Sequence, residues 1–207
     1  MILKVDHVSF SCPTDYQYTE VMPPGFHVDF IEKDLENIPC KFPFLYKRQD
    51  THTIIFLKYE DSAPIEVTQY KHCSNVETNI ELRDGRYCLY VNDICASQLF
   101  FENLGFKTTS VDNQEITMEI KPILDKFVFK IKLMPIKNNN TWFLDQTGFS
   151  SIAFFVDDVQ KTMNKMKKNG YEITFPQELK VNDKKLNIGF VRGKSGEIIE
   201  IIGLKRE

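Results

Sequence analysis

The sequence contains no GxGxxG pattern, no P-loop and no nucleophile elbow. These absences remove the usual glycine-rich routes to nucleotide binding and the common serine-hydrolase arrangement. The five cysteines, Cys12, Cys40, Cys73, Cys88 and Cys95, are odd in number, have no Cys-x-x-Cys spacing and form no recognisable pair with a histidine. They read as reduced, mostly buried thiols, and nucleophilic catalysis has little to build on. No basic patch stands out against a net charge of −3, so nucleic acid is not an expected partner. The lysines at 161, 165, 167 and 168 read as one solvated helix face. The opening MILKVDHVSF has neither a basic lead nor a small-residue cleavage site, and residues 1–12 are too short and interrupted to cross a bilayer. The expectation is a cytoplasmic protein with no membrane contact.

What is present is apolar, aromatic and periodic. With 207 residues, 42% hydrophobic and 13% aromatic, the chain has enough material for one large core or two small ones. Residues 2–12 alternate as a strand, with Leu3, Val5, His7, Ser9 and Ser11 on one face. Residues 13–25 carry Pro13, Pro23, Pro24 and Gly25 and read as loop. Strands are predicted over 25–32, 52–59 and 63–70, and the polar stretch 71–85 reads as a linker. A pattern then recurs. Residues 85–93 form a strand ending in Asn-Asp, followed by an amphipathic helix over 94–105 with Gly105 as cap, and by three strands. After a polar loop at 137–140, residues 148–158 form a strand ending in Asp-Asp, followed by a helix over 159–170 capped at Gly170, and the strands YEITFP, KLNIGFVR and EIIEIIGL. Residues 85–135 and 148–204 thus share one order of strand, helix and three strands, which is an internal repeat. The N-terminal third reads as the same unit with its helix shortened or replaced by the proline-rich loop.

Two short runs pose the chemical question. GEIIEIIGL, residues 196–204, embeds Glu200 among isoleucines, and burying a carboxylate there costs several kcal/mol unless it is paired or metal-bound. KVDHVSF, residues 4–10, sets His7 in an apolar strand in the same way. The alternatives are a hydrogen-bonded strand histidine at His7, and solvated strand faces for Glu66 and Glu200. His52 lies on a predicted strand and is a further candidate for a site, whereas His27 and His72 read as surface groups.

VDHVSF, APIEVTQY, GFSSIAFFVDDVQKTMNKMKKNGYEI and GEIIEIIGL, in that order and spacing, resemble the vicinal oxygen chelate superfamily of glyoxalase I, bleomycin-resistance proteins and extradiol dioxygenases. The resemblance implies an α+β fold of repeated βαβββ modules whose curled mixed sheets surround a cleft, here over 1–74, 84–137 and 147–204. Where such a fold holds a metal, each module offers a His from its first strand and a Glu from its last. His7 and Glu66 fall on those positions in the first module, and Glu200 on the Glu position of the last. The His position of the last module falls on Ser151, and that of the middle module on Tyr87. The ligand set implied is His7, Glu66 and Glu200 around a divalent Fe, Mn, Ni, Co or Zn ion. Glu200 or Tyr87 would move a proton, and Ser151, Ala153 and Phe155 would line the pocket by strand alternation. Two arrangements stay open. The first and last modules pair, with water at the fourth position, or the middle and last modules pair around a metal-free cleft at Tyr87, Ser151 and Glu200 and two chains pair their N-terminal modules across a homodimer axis. The activity implied is that of a metal-dependent lyase, isomerase or dioxygenase on a small oxygenated metabolite. The alternatives are a metal-free binding or sequestering protein of the resistance type, and a metal-free enzyme using a Tyr or Glu as acid or base.

Overall fold

The computed structural model describes residues 1–20, 23–74, 79–136 and 142–205. An N-terminal unit is made of β1 (Ile2–Pro13), β2 (His27–Glu36), β3 (Thr51–Lys58) and β4 (Ile65–Tyr70). Two short 3-10 turns, Tyr18–Glu20 and Pro39–Phe44, interrupt it. A middle unit follows with β5 (Ile80–Arg83), β6 (Arg86–Val91), α1 (Ile94–Leu104), β7 (Lys107–Asp112), β8 (Glu115–Ile120) and β9 (Phe129–Pro135). The C-terminal unit has β10 (Gly148–Val156), α2 (Val159–Lys168), β11 (Glu172–Ile173), β12 (Gln177–Val181), β13 (Lys184–Arg192) and β14 (Ile198–Leu204).

Local chemistry explains where these elements begin and end. Asp93 and Asp158 cap the two helices, each side chain accepting a backbone N–H three residues on, at 2.9 Å. Gly105 follows α1 at φ 106°, a left-handed conformation that suits glycine. Three hairpins close on two-residue turns with positive φ at both positions: Asp84-Gly85, Asn113-Gln114 and Asn182-Asp183. That geometry matches the right-handed twist of the strands it joins.

The strands form one mixed sheet in the order β2-β3-β4-β1-β10-β5-β6-β9-β8-β7, with β14, β13, β12 and β11 branching from β10. The central seam is β1 against β10, antiparallel, from Ile2↔Val156 to Ser11↔Gly148. On either side of it lies a parallel neighbour, β4 beside β1 and β14 beside β10. The N-terminal and C-terminal units are therefore paired within one chain. The middle unit joins the seam through one register pair, Phe149↔Ile80, and through packing of α1. Phe100 meets Tyr171 at 4.9 Å between ring centroids, and Phe106 and Phe129 flank the buried Phe154.

Several elements depart from the sequence expectation. The stretch 71–85 is not only a linker: Ile80–Arg83 is strand β5, because Ile80 is buried against β10 and Asp84-Gly85 turns the chain into β6. YEITFP yields only the two-residue β11, and the chain then pairs again as β12 along β13. The Pro39–Phe44 turn carries no periodic signal, yet it buries Cys40, Lys41 and Phe44. The loop expected at 137–140 lies outside the described residues.

Candidate functional site

The seam sets the site. Between Val5 and His7, β1 advances two residues while β10 advances one, from Phe154 to Ala153. Asp6 is the extra residue, a β-bulge of the kind that re-aims side chains near functional sites. The bulge puts the neighbouring side chains of Asp6 and His7 on the same cleft. Glu66 reaches it from β4, where it lies beside Ser9, and Glu200 from β14, where it lies beside Ala153.

His7, Glu66 and Glu200 are 2%, 9% and 7% exposed. The His7 Nε2 atom lies 3.7 Å from Glu66 Oε1 and 3.7 Å from Glu200 Oε2. It is buried, and among the described residues no partner stands within hydrogen-bond distance, the two carboxylates being at ion-pair distance. The other ring nitrogen, Nδ1, is 3.1 Å from Asp6 Oδ2, and Lys4 Nζ lies 2.6 Å from the other Asp6 oxygen. Thr68 Oγ1 donates to Glu66 Oε1 at 3.1 Å.

The charges are strongly coupled. Burial pulls the His7 pKa down, but the Glu66 carboxylate, the hydrogen bond to Asp6 and the Glu200 carboxylate outweigh it and hold His7 well above the ordinary imidazole value. Burial raises Glu66, and the nearby Glu200 adds to this, while His7 and Lys41 oppose it. For Asp6, burial acts upward, but His7 and Lys4 prevail and hold its carboxyl well below the usual carboxylate range. Without a metal, His7 is thus an imidazolium ringed by carboxylates.

The donor types, one imidazole and two carboxylates, are those that suit a divalent ion. Ligands at about 2.1 Å from a metal stand about 3.0–3.4 Å apart in octahedral or tetrahedral sites, so the 3.7 Å separations need to close by a few tenths of an ångström. As they stand, the described residues contain no group of three or more His, Cys, Asp or Glu placed to hold a metal ion. The orphaned Nε2 and the Asp6 carboxylate behind Nδ1 make the carboxylate–histidine pairing that orients metal-binding imidazoles.

The other expected residues fall in different places. Phe155 lines the cleft. Ser151 Oγ donates to Ser9 Oγ at 3.0 Å in a small cavity of ≈ 10 Å³ behind Glu66 and Glu200, and Ala153 is fully enclosed. Tyr87 is not brought to the cluster. It packs on Phe129 and Phe149 beside a separate cavity, and burial raises its phenol. His52 is buried away from His7, with Nε2 3.1 Å from Lys41 Nζ. The sequence reading missed Asp6, Thr68, Lys41 and Phe56, whose ring meets the His7 ring edge-on at 5.8 Å. Only Asp6 carried a signal, through its adjacency to His7.

Residues 83–201 match the family model of the Glyoxalase/Bleomycin resistance protein/Dioxygenase superfamily. The chain belongs to that superfamily. The match takes in Ser151 and Glu200, while His7 and Glu66 precede it. Similar solved structures include a putative dioxygenase from Bacillus subtilis, at 13% identity over 99% of this chain and 63% of that one, with a TM-score of 0.43. A glyoxalase I mutant from Zea mays gives 16% identity over 96% and 67%, with a TM-score of 0.39. The fosfomycin resistance protein FosX from Listeria monocytogenes gives 14% identity over 57% and 89%, with a TM-score of 0.45. No curated protein matches the chain. Among the described residues, no helix is long and apolar enough to cross a membrane.

Proposed function

We propose that the protein is a divalent-metal-dependent lyase, isomerase or dioxygenase acting on a small oxygenated metabolite in the cleft between the N-terminal and C-terminal units. His7, Glu66 and Glu200 are its protein ligands. The observation that carries this reading is the buried His7 Nε2, 3.7 Å from two buried carboxylates and with no closer hydrogen-bond partner among the described residues. An imidazole nitrogen between two buried carboxylates pairs with them when protonated, and the same three groups in their deprotonated forms are a donor set for a divalent ion. A divalent ion bound there supplies a Lewis acid for two neighbouring substrate oxygens. Asp6 fixes the His7 tautomer, Lys4 holds Asp6, and the Thr68 hydroxyl orients Glu66. Phe56 and Phe155 keep water from the walls beside the ligands. Glu200 or Glu66 also offers an acceptor for a substrate proton. The cytoplasmic location expected from the sequence belongs to the same proposal, whereas a site shared across a homodimer axis does not, because β1 pairs with β10 within one chain.

The test is elemental analysis of protein purified without a metal-affinity tag, beside His7→Ala and Glu200→Ala. About one transition metal per chain, lost in both variants, is expected. No metal in any sample, even after addition of Mn, Fe, Ni and Zn, sinks the reading. One observation favours a second reading, a metal-free binding protein: the fourth ligand position is Ser151, already hydrogen-bonded to Ser9.

A further inference from the structure

The cleft has a volume of ≈ 380 Å³, within the range of small-molecule sites. Its charged lining is largely self-neutralised. Lys4 pairs with Asp6 at 2.6 Å, and Lys58 with Asp29 at 2.7 Å. Lys41 differs from both. It is 6% exposed, and its one hydrogen-bond partner among the described residues is His52 Nε2, at 3.1 Å. No carboxylate lies at ion-pair distance from it among those residues. Burial and the adjacent Lys41 charge hold His52 well below the ordinary imidazole value, so its Nε2 accepts from the ammonium. An ammonium carries three donors, and one is used. Lys41 lines both the cleft and the small hydroxyl-lined cavity behind Glu66 and Glu200. Once those carboxylates serve a metal, a buried ammonium needs another anion.

Apart from Asn182 and the exposed Lys184 at the β12–β13 turn, the remaining lining is apolar. Phe30 and Phe56 stack in parallel, 5.1 Å apart at 8°, so an aromatic wall starts at the His7 ring and runs outward to β2. Leu186, Ile188 and Ile202 line the side formed by β13 and β14. A sugar or polyol would leave its hydroxyls unpaired against such walls, whereas an alkyl or aryl body would be buried favourably.

We propose that the cleft takes an anionic two-oxygen ligand with an apolar tail, of the 2-hydroxy or 2-oxo carboxylate class, and that Lys41 supplies the counter-charge. The two-oxygen end rests on the metal-site reading above; the charge and the tail rest on Lys41 and the walls. The test is calorimetric titration of Mn-loaded protein with straight-chain 2-hydroxy acids of three to eight carbons. Neutral 1,2-diols of equal length are the comparison. Affinity for the acids is expected to rise roughly three- to fourfold per methylene and to exceed that for the diols by tenfold or more. Lys41→Met should abolish the preference for acids and keep the dependence on chain length. Affinity flat with chain length, equal binding of acids and diols, or no binding of either overturns the inference. An acid preference that survives in folded Lys41→Met removes Lys41 from it. If Lys41→Met does not fold, the wild-type comparison of acids with diols decides. Metal content is measured on the same samples. Chain-length dependence and acid preference in a protein that retains no metal uphold this inference and sink the metal reading. Their absence in a metal-loaded protein sinks this inference alone.

Discussion

Replacing Glu197 by alanine tests how the middle unit is held against the sheet that carries the site. Among the described residues one register pair, Phe149↔Ile80, joins their strands, so α1 and the turn between β13 and β14 share the attachment with the Phe106–Phe129–Phe154 packing and with the bonds from Leu124 and Asp125 to β1. Glu197 is fully buried in that turn. The Ser97 hydroxyl of α1 donates to one carboxylate oxygen, and the Ser195 N–H donates to the other at 3.0 Å. Ser195 Oγ in turn accepts the Asp93 N–H at 3.0 Å. A methyl group at Gly193 would overlap the carboxylate, which explains the glycine there. At acidic pH, where the carboxyl is protonated, alanine removes two neutral hydrogen bonds worth about 0.5–1.5 kcal/mol each and leaves a cavity. The net expected loss is about 2–4 kcal/mol at acidic pH, measured by urea unfolding. Trp142 is the single tryptophan, is buried, and packs against Gly196, so its fluorescence reports this turn directly. Burial raises the Glu197 carboxyl above its ordinary value of 4.5 despite the hydrogen bonds from Ser97 and Ser195. A group raised in the folded state binds its proton more tightly there than in the unfolded chain. Its contribution is complete below the unfolded value and is lost as pH rises through the folded one. The stability gap between wild type and Glu197→Ala should therefore narrow from about pH 4 toward neutrality. A gap under about 1 kcal/mol, or one that widens with pH, refutes the reasoning.

Three further outcomes are expected. A divalent ion at a hundredfold excess over its dissociation constant should stabilise the wild type by about 2.7 kcal/mol, and neither Glu66→Gln nor Glu200→Gln by a comparable amount. Equal thermal shifts in all three would place the ion elsewhere. Gly203→Ala should cost about 1–3 kcal/mol, because the added methyl would stand 2.7 Å from Val159 Cγ2 and 3.2 Å from the Val156 carbonyl oxygen; an unchanged melting temperature would contradict the close packing of α2 on β14. Asp158→Ala should lose about 1 kcal/mol through the missing cap on the Lys161 N–H, read by chemical denaturation. A neutral result there would mean that water replaces the cap without loss.

Much of the fold is legible because its signals are local. Asp93 with Gly105, and Asp158 with Gly170, bracket the two helices in the sequence as they do in the structure. His7, Glu66 and Glu200 stand out because each is a charged or polar group in an apolar strand, and the β1–β10 seam brings the three together. What was not legible depends on register or on irregular backbone. The bulge at Asp6 is a one-residue difference between two strands far apart in sequence, and no pattern within β1 reveals it. Lys41 sits in a proline-bounded 3-10 turn whose burial comes from packing against the sheet. Tyr87 was placed by its position in the repeat. The middle unit, however, presents that strand to Phe129 and Phe149 rather than to the cleft.

The two paired units contribute unequally to the site, and the inequality has a physical pattern. Each supplies one carboxylate from a strand parallel to the seam, Glu66 on β4 and Glu200 on β14. Beyond that, every group that positions charge comes from the N-terminal unit: His7, Asp6, Lys4, Thr68 and Lys41. The C-terminal unit offers Ser151 at the corresponding corner, turned to Ser9, and lines the cleft mainly with apolar groups such as Leu186, Ile188 and Ile202, with Asn182 and Lys184 at the β12–β13 turn. The charged groups of the candidate site are thus concentrated in the N-terminal unit, and both units contribute apolar wall. Exchanging Ser151 for histidine would not restore symmetry, because Ser151 is enclosed with Ser9 behind the carboxylates and a cavity of ≈ 10 Å³ has no room for an imidazole.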